Sequence, residues 1–140
     1  MGNFDRSTAC LRLFGNNLDP SEISLLLGCQ PTVAEFRGEI VRYPSGRERI
    51  ARVGQWRLEA KDVEPENLAD QIRWLLTQVT EDLSVWQRLQ RMCEMNLFCG
   101  LFMASSNDGV SIPPSVMLML GQRGIALDCD VYSYLDDQEA

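Results

Sequence analysis

The most apolar part of the chain is the stretch Glu94-Met95-Asn96-Leu97-Phe98-Cys99-Gly100-Leu101-Phe102-Met103-Ala104. Apolar residues occupy both sets of alternating positions, which is typical of an interior strand covered on two sides. Gly100 inside the run indicates a close approach by a neighbouring element or a bulge. We therefore expect this stretch to form a central strand of a sheet.

Helical patterns flank this strand in the sequence. Upstream, apolar residues recur in steps of three and four from Leu68 to Leu89, which predicts helices over 66–78 and 81–92, the second capped by Thr80. Downstream, the sequence predicts a helix over 114–120 that ends in the glycines of 121–124, and then a last strand over 125–132.

The first half of the chain supplies the other elements. Ser7–Phe14 reads as a strand, and Asp19, Pro20 and Gly28 have the residue types of a cap, a first helical position and a left-handed end for a helix over 20–27. A loop is expected over 30–35. The runs 36–43 and 50–60 then predict a β-hairpin that turns at Pro44-Ser45-Gly46.

The order of these elements predicts the fold class. Strand, helix, hairpin, helix pair and strand match the β-α-β-β-α-β pattern of a ferredoxin-like sandwich, which a further α-β unit extends. We expect an α+β domain with a mixed sheet and helices mainly on one face. We expect residues 1–135 to form this single domain and the acidic residues of 136–140 to form a flexible tail.

Composition restricts the chemistry. The chain contains no histidine, so no mechanism or metal site within it uses an imidazole. Five cysteines without a Cys-x-x-Cys pair predict buried, inert thiols rather than disulfides or zinc ligands. No apolar run reaches the roughly 18 residues of a membrane span, and the N-terminus lacks the pattern of a signal peptide, which predicts a cytoplasmic protein.

Charge patterning gives the first candidate binding surface. The net charge is −7, which disfavours nucleic acid and anionic membranes, yet six arginines crowd into residues 37–57. Among them, Arg42, Arg47, Arg49 and Arg52 form a candidate partner surface, because guanidinium groups bind carboxylates and phosphates. Interleaved glutamates leave open the alternative of cross-strand ion pairs on an exposed sheet face.

Two further positions are candidates. Asp128 and Asp130 alternate along the last strand and therefore share one face, where two carboxylates suit a divalent cation, acid/base chemistry or a solvated strand edge. Trp74 lies at the margin of the apolar helical stripe, which predicts a partly exposed ring at a contact surface.

Several motifs in one order carry a family resemblance. They are Arg12-Leu13-Phe14-Gly15-Asn16-Asn17-Leu18-Asp19-Pro20-Ser21-Glu22-Ile23, Leu26-Leu27-Gly28-Cys29-Gln30-Pro31-Thr32, Trp56-x-Leu58, Asn96-Leu97-Phe98-Cys99-Gly100 and Leu127-Asp128-Cys129-Asp130-Val131-Tyr132. Over residues 8–132 the chain resembles the bacterial family called domain of unknown function 4279. The resemblance implies a small α+β domain and brings no activity or catalytic residue. One departure is Pro113, which stands where the family pattern has a serine cap.

Three functional hypotheses follow. The leading one is a non-catalytic interaction domain that binds a protein partner, with an immunity protein as one subtype; a homodimer is an open alternative. The partner would bind through the arginine hairpin or through the acidic C-terminal surface, and the candidate partner surface includes Asp128, Asp130 and Trp74. The second is a small-ligand sensor, and the third is a metal-dependent enzyme that uses Asp128 and Asp130. We expect no cofactor and no catalytic residue, and the absence of histidine weighs against an enzyme.

Overall fold

Nine strands and four helices are formed by residues 2–135, the part of the chain that the computed structural model describes. In chain order they are β1 (Gly2–Asn3), β2 (Arg6–Gly15), α1 (Pro20–Leu27), β3 (Val33–Glu35), β4 (Ile40–Arg42), β5 (Glu48–Ile50), β6 (Gly54–Glu59), α2 (Leu68–Gln78), α3 (Leu83–Met92), β7 (Glu94–Phe102), β8 (Asp108–Gly109), α4 (Pro114–Arg123) and β9 (Ala126–Tyr132). The acidic tail predicted for 136–140 lies outside the described residues.

The main sheet has five strands in the order β3-β6-β2-β7-β9. Its central strand β2 pairs antiparallel with β6 on one side and β7 on the other, and β3 pairs antiparallel with β6. The last strand, β9, pairs parallel with β7, so the sheet is mixed. The predicted α+β class with a mixed sheet is therefore confirmed.

The apolar core lies between one face of this sheet and the four helices. Alternate residues of β2, β6 and β7 point into it, and among them Leu11, Trp56 and Leu97 are fully buried. The indole nitrogen of Trp56 donates a hydrogen bond to Ser24 of α1, so burial of that ring leaves no polar atom unpaired. Trp86 of α3 is equally buried within the same cluster.

Local signals in the sequence account for the helix ends. Asp19 accepts a hydrogen bond from the backbone of Ser21, and Gly28 ends α1 with φ 67°, as the sequence predicts. The helices expected from 66 and 81 begin two residues later, because Asn67 and Asp82 are the caps. The prediction that Thr80 caps the second helix is therefore wrong.

The predicted hairpin of 36–43 and 50–60 is only partly correct. The chain reverses at residues 44–46 as expected, but the paired strands are the short β4 and β5, which form a separate two-stranded sheet. The second run instead supplies β6 to the main sheet, where it pairs with β3. The expectation of a loop over 30–35 is thus wrong for its last three residues.

The expectation that the stretch 94–104 is covered on two sides is also only half right. Strand β7 is an interior strand, and Leu97, Cys99 and Leu101 on its helix-facing side are buried. Phe98 and Phe102, on the opposite side, are half-buried and lie under arginine side chains rather than under a helix. The second face of the sheet therefore has no helical layer within residues 2–135.

Candidate binding surface

The face of the main sheet opposite the helices, here called the open face, is the first candidate surface. It is built by alternate residues whose register places them side by side. They are Thr8, Cys10, Arg12 and Phe14 of β2, Gln55, Arg57 and Glu59 of β6, Asn96, Phe98, Gly100 and Phe102 of β7, and Asp128, Asp130 and Tyr132 of β9.

Arginines and aromatic rings stack on one another across this face. The guanidinium of Arg6 lies 3.9 Å from the ring centre of Phe102, which itself stacks on Tyr132 with ring centres 4.7 Å apart. The guanidinium of Arg12 lies 4.4 Å from the ring centre of Phe98. These cation–π contacts cover part of each apolar ring with the stem and head of an arginine side chain.

A polar chain links three strands of the same face. The Nε of Arg12 donates to Asn96 at 2.9 Å, and the side-chain amide of Asn96 donates to Asp128 at 2.7 Å. The hydroxyl of Tyr132 donates to Asp130 at 2.7 Å, and this bond raises the pKa of Tyr132. Asp128 and Asp130 therefore share one face of an edge strand, as predicted, and each carboxylate already has its own neutral partner.

The two aspartates do not belong to a larger ligand set. Within residues 2–135 the structure brings together no group of three or more cysteine, aspartate or glutamate side chains that could hold a metal ion. Asp128 and Asp130 are the side chains that would contact a divalent cation. Each carboxylate instead accepts a hydrogen bond, from the Asn96 amide and from the Tyr132 hydroxyl respectively.

Arg12 and Arg57 lie directly opposite each other on neighbouring strands of the open face. They line a cavity of about 330 Å³ together with Cys10 and Phe98, and Glu59 and Asp62 complete its wall. The Nε of Arg57 is buried and has no hydrogen-bond partner among the described residues. Sequence reasoning missed this pair, because it grouped Arg57 with the hairpin arginines and gave Arg12 no role.

The cavity also surrounds a thiol. Burial raises the pKa of the Cys10 thiol to about 11, and Glu59 raises it as well, while Arg57 and Arg12 lower it. Burial likewise raises the pKa of Cys93 to about 11 and that of the fully buried Cys99. All five cysteines are free, but the predicted burial holds fully only for Cys99. Cys10, Cys29 and Cys93 are half-buried, and the prediction is wrong for Cys129, which is exposed on the edge strand β9. The raised pKa values favour the neutral thiol at Cys10, Cys93 and Cys99.

The second candidate surface is the segment 36–53, here called the basic arm, which contains β4, β5 and the turn between them. Arg49 anchors the arm to the main sheet through two hydrogen bonds of 2.7 and 2.8 Å to Glu35, whose side chain is buried. Arg49 also donates to the hydroxyl of Tyr43 at 2.7 Å. A groove of about 890 Å³ is lined by arm residues together with Glu35 of β3 and Gln55 of β6.

Some arginines of the predicted surface form ion pairs within the described residues, and others do not. Arg49 is the anchor, and Arg42 pairs with Glu48 across the arm at 3.2 Å, as the ion-pair alternative predicts. Arg37, Arg47 and Arg52 are exposed, and within residues 2–135 none of them lies within 4.0 Å of a carboxylate. The cluster is thus partly a paired face and partly available to a partner.

Trp74 lies on the opposite layer of the molecule. It belongs to α2 and is 47% exposed, as the sequence predicts. Its ring borders a cavity of about 510 Å³ that Lys61, Asn67 and Gln71 also line. The structure therefore does not bring Trp74 together with the arginines or with Asp128 and Asp130.

No helix among the described residues has the length and apolar character needed to cross a membrane. A search of curated proteins and a search of solved structures each returned no match. The family model described as "Domain of unknown function (DUF4279)" matches residues 5–134, nearly the whole chain. The α+β architecture agrees with the expectation that the resemblance raised. The chain therefore belongs to the DUF4279 family.

Proposed function

We propose that this protein is a non-catalytic interaction domain that binds the acidic surface of a protein partner through its basic arm. The observation that carries the proposal is the arm's composition and exposure. It holds five arginines and two glutamates, a net charge of +3 within a chain of net charge −7. Opposite charge on the partner fits a local basic surface of this kind.

Exposed apolar side chains on the arm support a macromolecular partner. Ile50 is 67% exposed, and Phe36, Ile40 and Tyr43 are also exposed although they lie on or beside a short two-stranded ribbon. Apolar and aromatic residues interleaved with arginines are characteristic of protein interfaces, where tyrosine and arginine contribute a large share of binding energy. A solvated structural loop does not need them.

The free arginines indicate what the partner offers. Arg42 and Arg49 already have carboxylate partners, whereas within residues 2–135 no carboxylate lies within 4.0 Å of the other three. Arg37, Arg47 and Arg52 would therefore meet aspartate or glutamate side chains of the partner. The acidic remainder of the chain would repel a nucleic acid, which favours a protein. We favour an immunity-type protein that neutralises a toxin, by analogy of build, and a cytoplasmic location, which the five free thiols support.

The test uses the purified product of each neighbouring gene, with a polyuridine oligonucleotide as the alternative probe. We expect nanomolar, salt-sensitive binding to one acidic neighbour and no turnover. The triple variant Arg37→Glu/Arg47→Glu/Arg52→Glu should weaken that binding by roughly a hundredfold or more, since three charge-assisted contacts become repulsive.

The matched control is Arg73→Glu/Arg88→Glu/Arg91→Glu, which makes the same change in net charge on α2 and α3. It should leave affinity within about threefold, because long-range charge is screened at physiological salt. If both triple variants lose affinity equally, net charge rather than the arm accounts for binding, and the proposal is wrong. Binding of polyuridine alone would replace the proposal with a nucleic-acid function.

We infer that β2, α1, β3, β6, α2 and β7 form a ferredoxin-like unit, which α4 and β9 extend. The strand order β3-β6-β2-β7 with antiparallel neighbours supports it.

A further inference from the structure

We propose that the cavity between Arg12 and Arg57 on the open face binds a small zwitterion of the amino-acid class, with its carboxylate on the two guanidinium groups and its ammonium near Glu59 and Asp62. This site is independent of the basic arm, and the ligand goes beyond the function proposed above.

Two like charges lie side by side on the open face. Arg12 and Arg57 are a directly opposed cross-strand pair, an arrangement that destabilises a sheet unless a counter-charge lies between them. Within residues 2–135 no carboxylate lies within 4.0 Å of either guanidinium. A ligand carboxylate at this position would supply the missing counter-charge.

The two arginine side chains differ in how they are held. Arg12 is fixed by its bond to Asn96 and its position over Phe98, so its terminal nitrogens are held in place for a ligand. Within residues 2–135 the Nε of Arg57 is buried without a hydrogen-bond partner and no carboxylate pairs with this guanidinium, so no described group neutralises its charge. Guanidinium groups bind a planar carboxylate through two parallel hydrogen bonds.

The cavity is of ligand size, and acidic side chains line part of its wall. Its volume of about 330 Å³ suits a small molecule. Glu59 and Asp62 lie on the same wall, and both are exposed. These carboxylates would repel a phosphate or a dicarboxylate but would attract an ammonium group. The wall therefore offers arginines to the carboxylate of a zwitterion and carboxylates to its ammonium group.

The experiment measures the melting temperature of the full chain with each of the twenty L-amino acids and with inorganic phosphate. At least one amino acid should raise the melting temperature in proportion to the logarithm of its concentration. For the best amino acid, the analogue without its amino group should bind more weakly, and the analogue without its carboxylate should not bind. Calorimetric titration then gives each dissociation constant.

Arg57→Gln should weaken binding by roughly tenfold to a hundredfold, the effect of losing a charge-assisted hydrogen bond. Without ligand, Arg57→Gln should be at least as stable as the wild type, because the like-charge pair is gone. The control Arg37→Gln on the arm should bind as the wild type does. If Arg57→Gln proves unstable, Arg57→Lys, which keeps the charge and loses the paired geometry, provides the same comparison.

Three outcomes would overturn the proposal. They are a melting temperature that no amino acid raises, undiminished binding by Arg57→Gln, and stabilisation by phosphate but by no amino acid. The arm variant Arg37→Glu/Arg47→Glu/Arg52→Glu should keep its response to the amino acid. Failure of the ligand site is therefore distinguishable from failure of the protein-binding proposal.

Discussion

Gly54, the first residue of β6, permits the loop before α1 to lie against the sheet. A Cβ at this position would collide with the carbonyl oxygen of Leu18, a backbone atom that cannot rotate away. Leu18 belongs to the apolar core, so the loop cannot move outward without exposing it. One missing methyl group therefore determines how closely two parts of the chain meet.

We predict that Gly54→Ala lowers the free energy of unfolding by about 2 kcal/mol, the cost of overpacking a tight site. Chemical denaturation with urea measures it. The matched control is Gly121→Ala in α4, where an added Cβ meets no atom within 4 Å. There the same substitution should raise stability by about 0.5–1 kcal/mol, since alanine is the better helix former. Equal stability of the two variants would contradict this account.

At the scale of elements, a buried polar contact joins α2 to the central strand. Ser7 of β2 donates to the Gln71 side chain at 2.6 Å. Gln71 in turn donates to the backbone oxygens of Ser7 at 3.0 Å and Lys61 at 2.9 Å. Both side chains are buried, so these bonds fix the position of α2 along the sheet where apolar packing alone would permit sliding.

Removing the Gln71 side chain measures how much this polar contact contributes to the free energy of unfolding. Gln71→Leu leaves the Ser7 hydroxyl without its acceptor and the Lys61 carbonyl without its side-chain donor, whereas the Ser7 carbonyl keeps its bond from the Val63 N–H. We expect a loss of about 1–3 kcal/mol in unfolding free energy. The double variant Ser7→Ala/Gln71→Leu should cost less than the sum of the single variants by about 1 kcal/mol. Gln78→Leu, on an exposed position of α2, should change stability by less than about 0.5 kcal/mol. Strictly additive losses would show that the pair does not couple the two elements.

At the scale of the whole molecule, the core is complete without the basic arm. No residue of 36–53 belongs to the main apolar cluster, and the arm meets the sheet through the Glu35–Arg49 pair. At its base, Gly38 and Ala51 are joined by a backbone hydrogen bond of 2.8 Å, which marks where a shorter connection fits. The main apolar core therefore forms without side chains from the arm.

We predict that replacing residues 39–50 with Asn-Gly, together with Glu35→Gln, leaves a cooperatively folding protein. The Asn-Gly pair suits a tight two-residue hairpin, and the glutamine avoids a buried unpaired carboxylate. Unfolding free energy should fall by less than about 2 kcal/mol, as circular dichroism during urea titration measures. The shortened protein should lose its protein partner. A non-cooperative transition would show that the arm is part of the folding unit.

Much of the architecture was predictable because its signals are local. Helix periodicity from Leu68 to Leu89, the cap at Asp19 and the glycine at position 28 each act within a few residues, and the structure retains them. The alternation of Asp128 and Asp130 with apolar neighbours likewise predicted one shared face of an edge strand. The sequence predicted the exposure of Trp74 and the shared face of the two aspartates. It did not predict the hydrogen bonds that Asn96 and Tyr132 donate to those aspartates.

Composition and short-range periodicity were enough to predict the α+β class, the helices and the lack of imidazole chemistry, because each of these signals acts within a few residues. The assembled sheet was needed to place Arg12 opposite Arg57, to leave one sheet face open, and to pair β6 with β3. Strand pairing joins residues distant in the chain, and the register of each pair is settled by packing over the whole sheet. No local pattern carries that information.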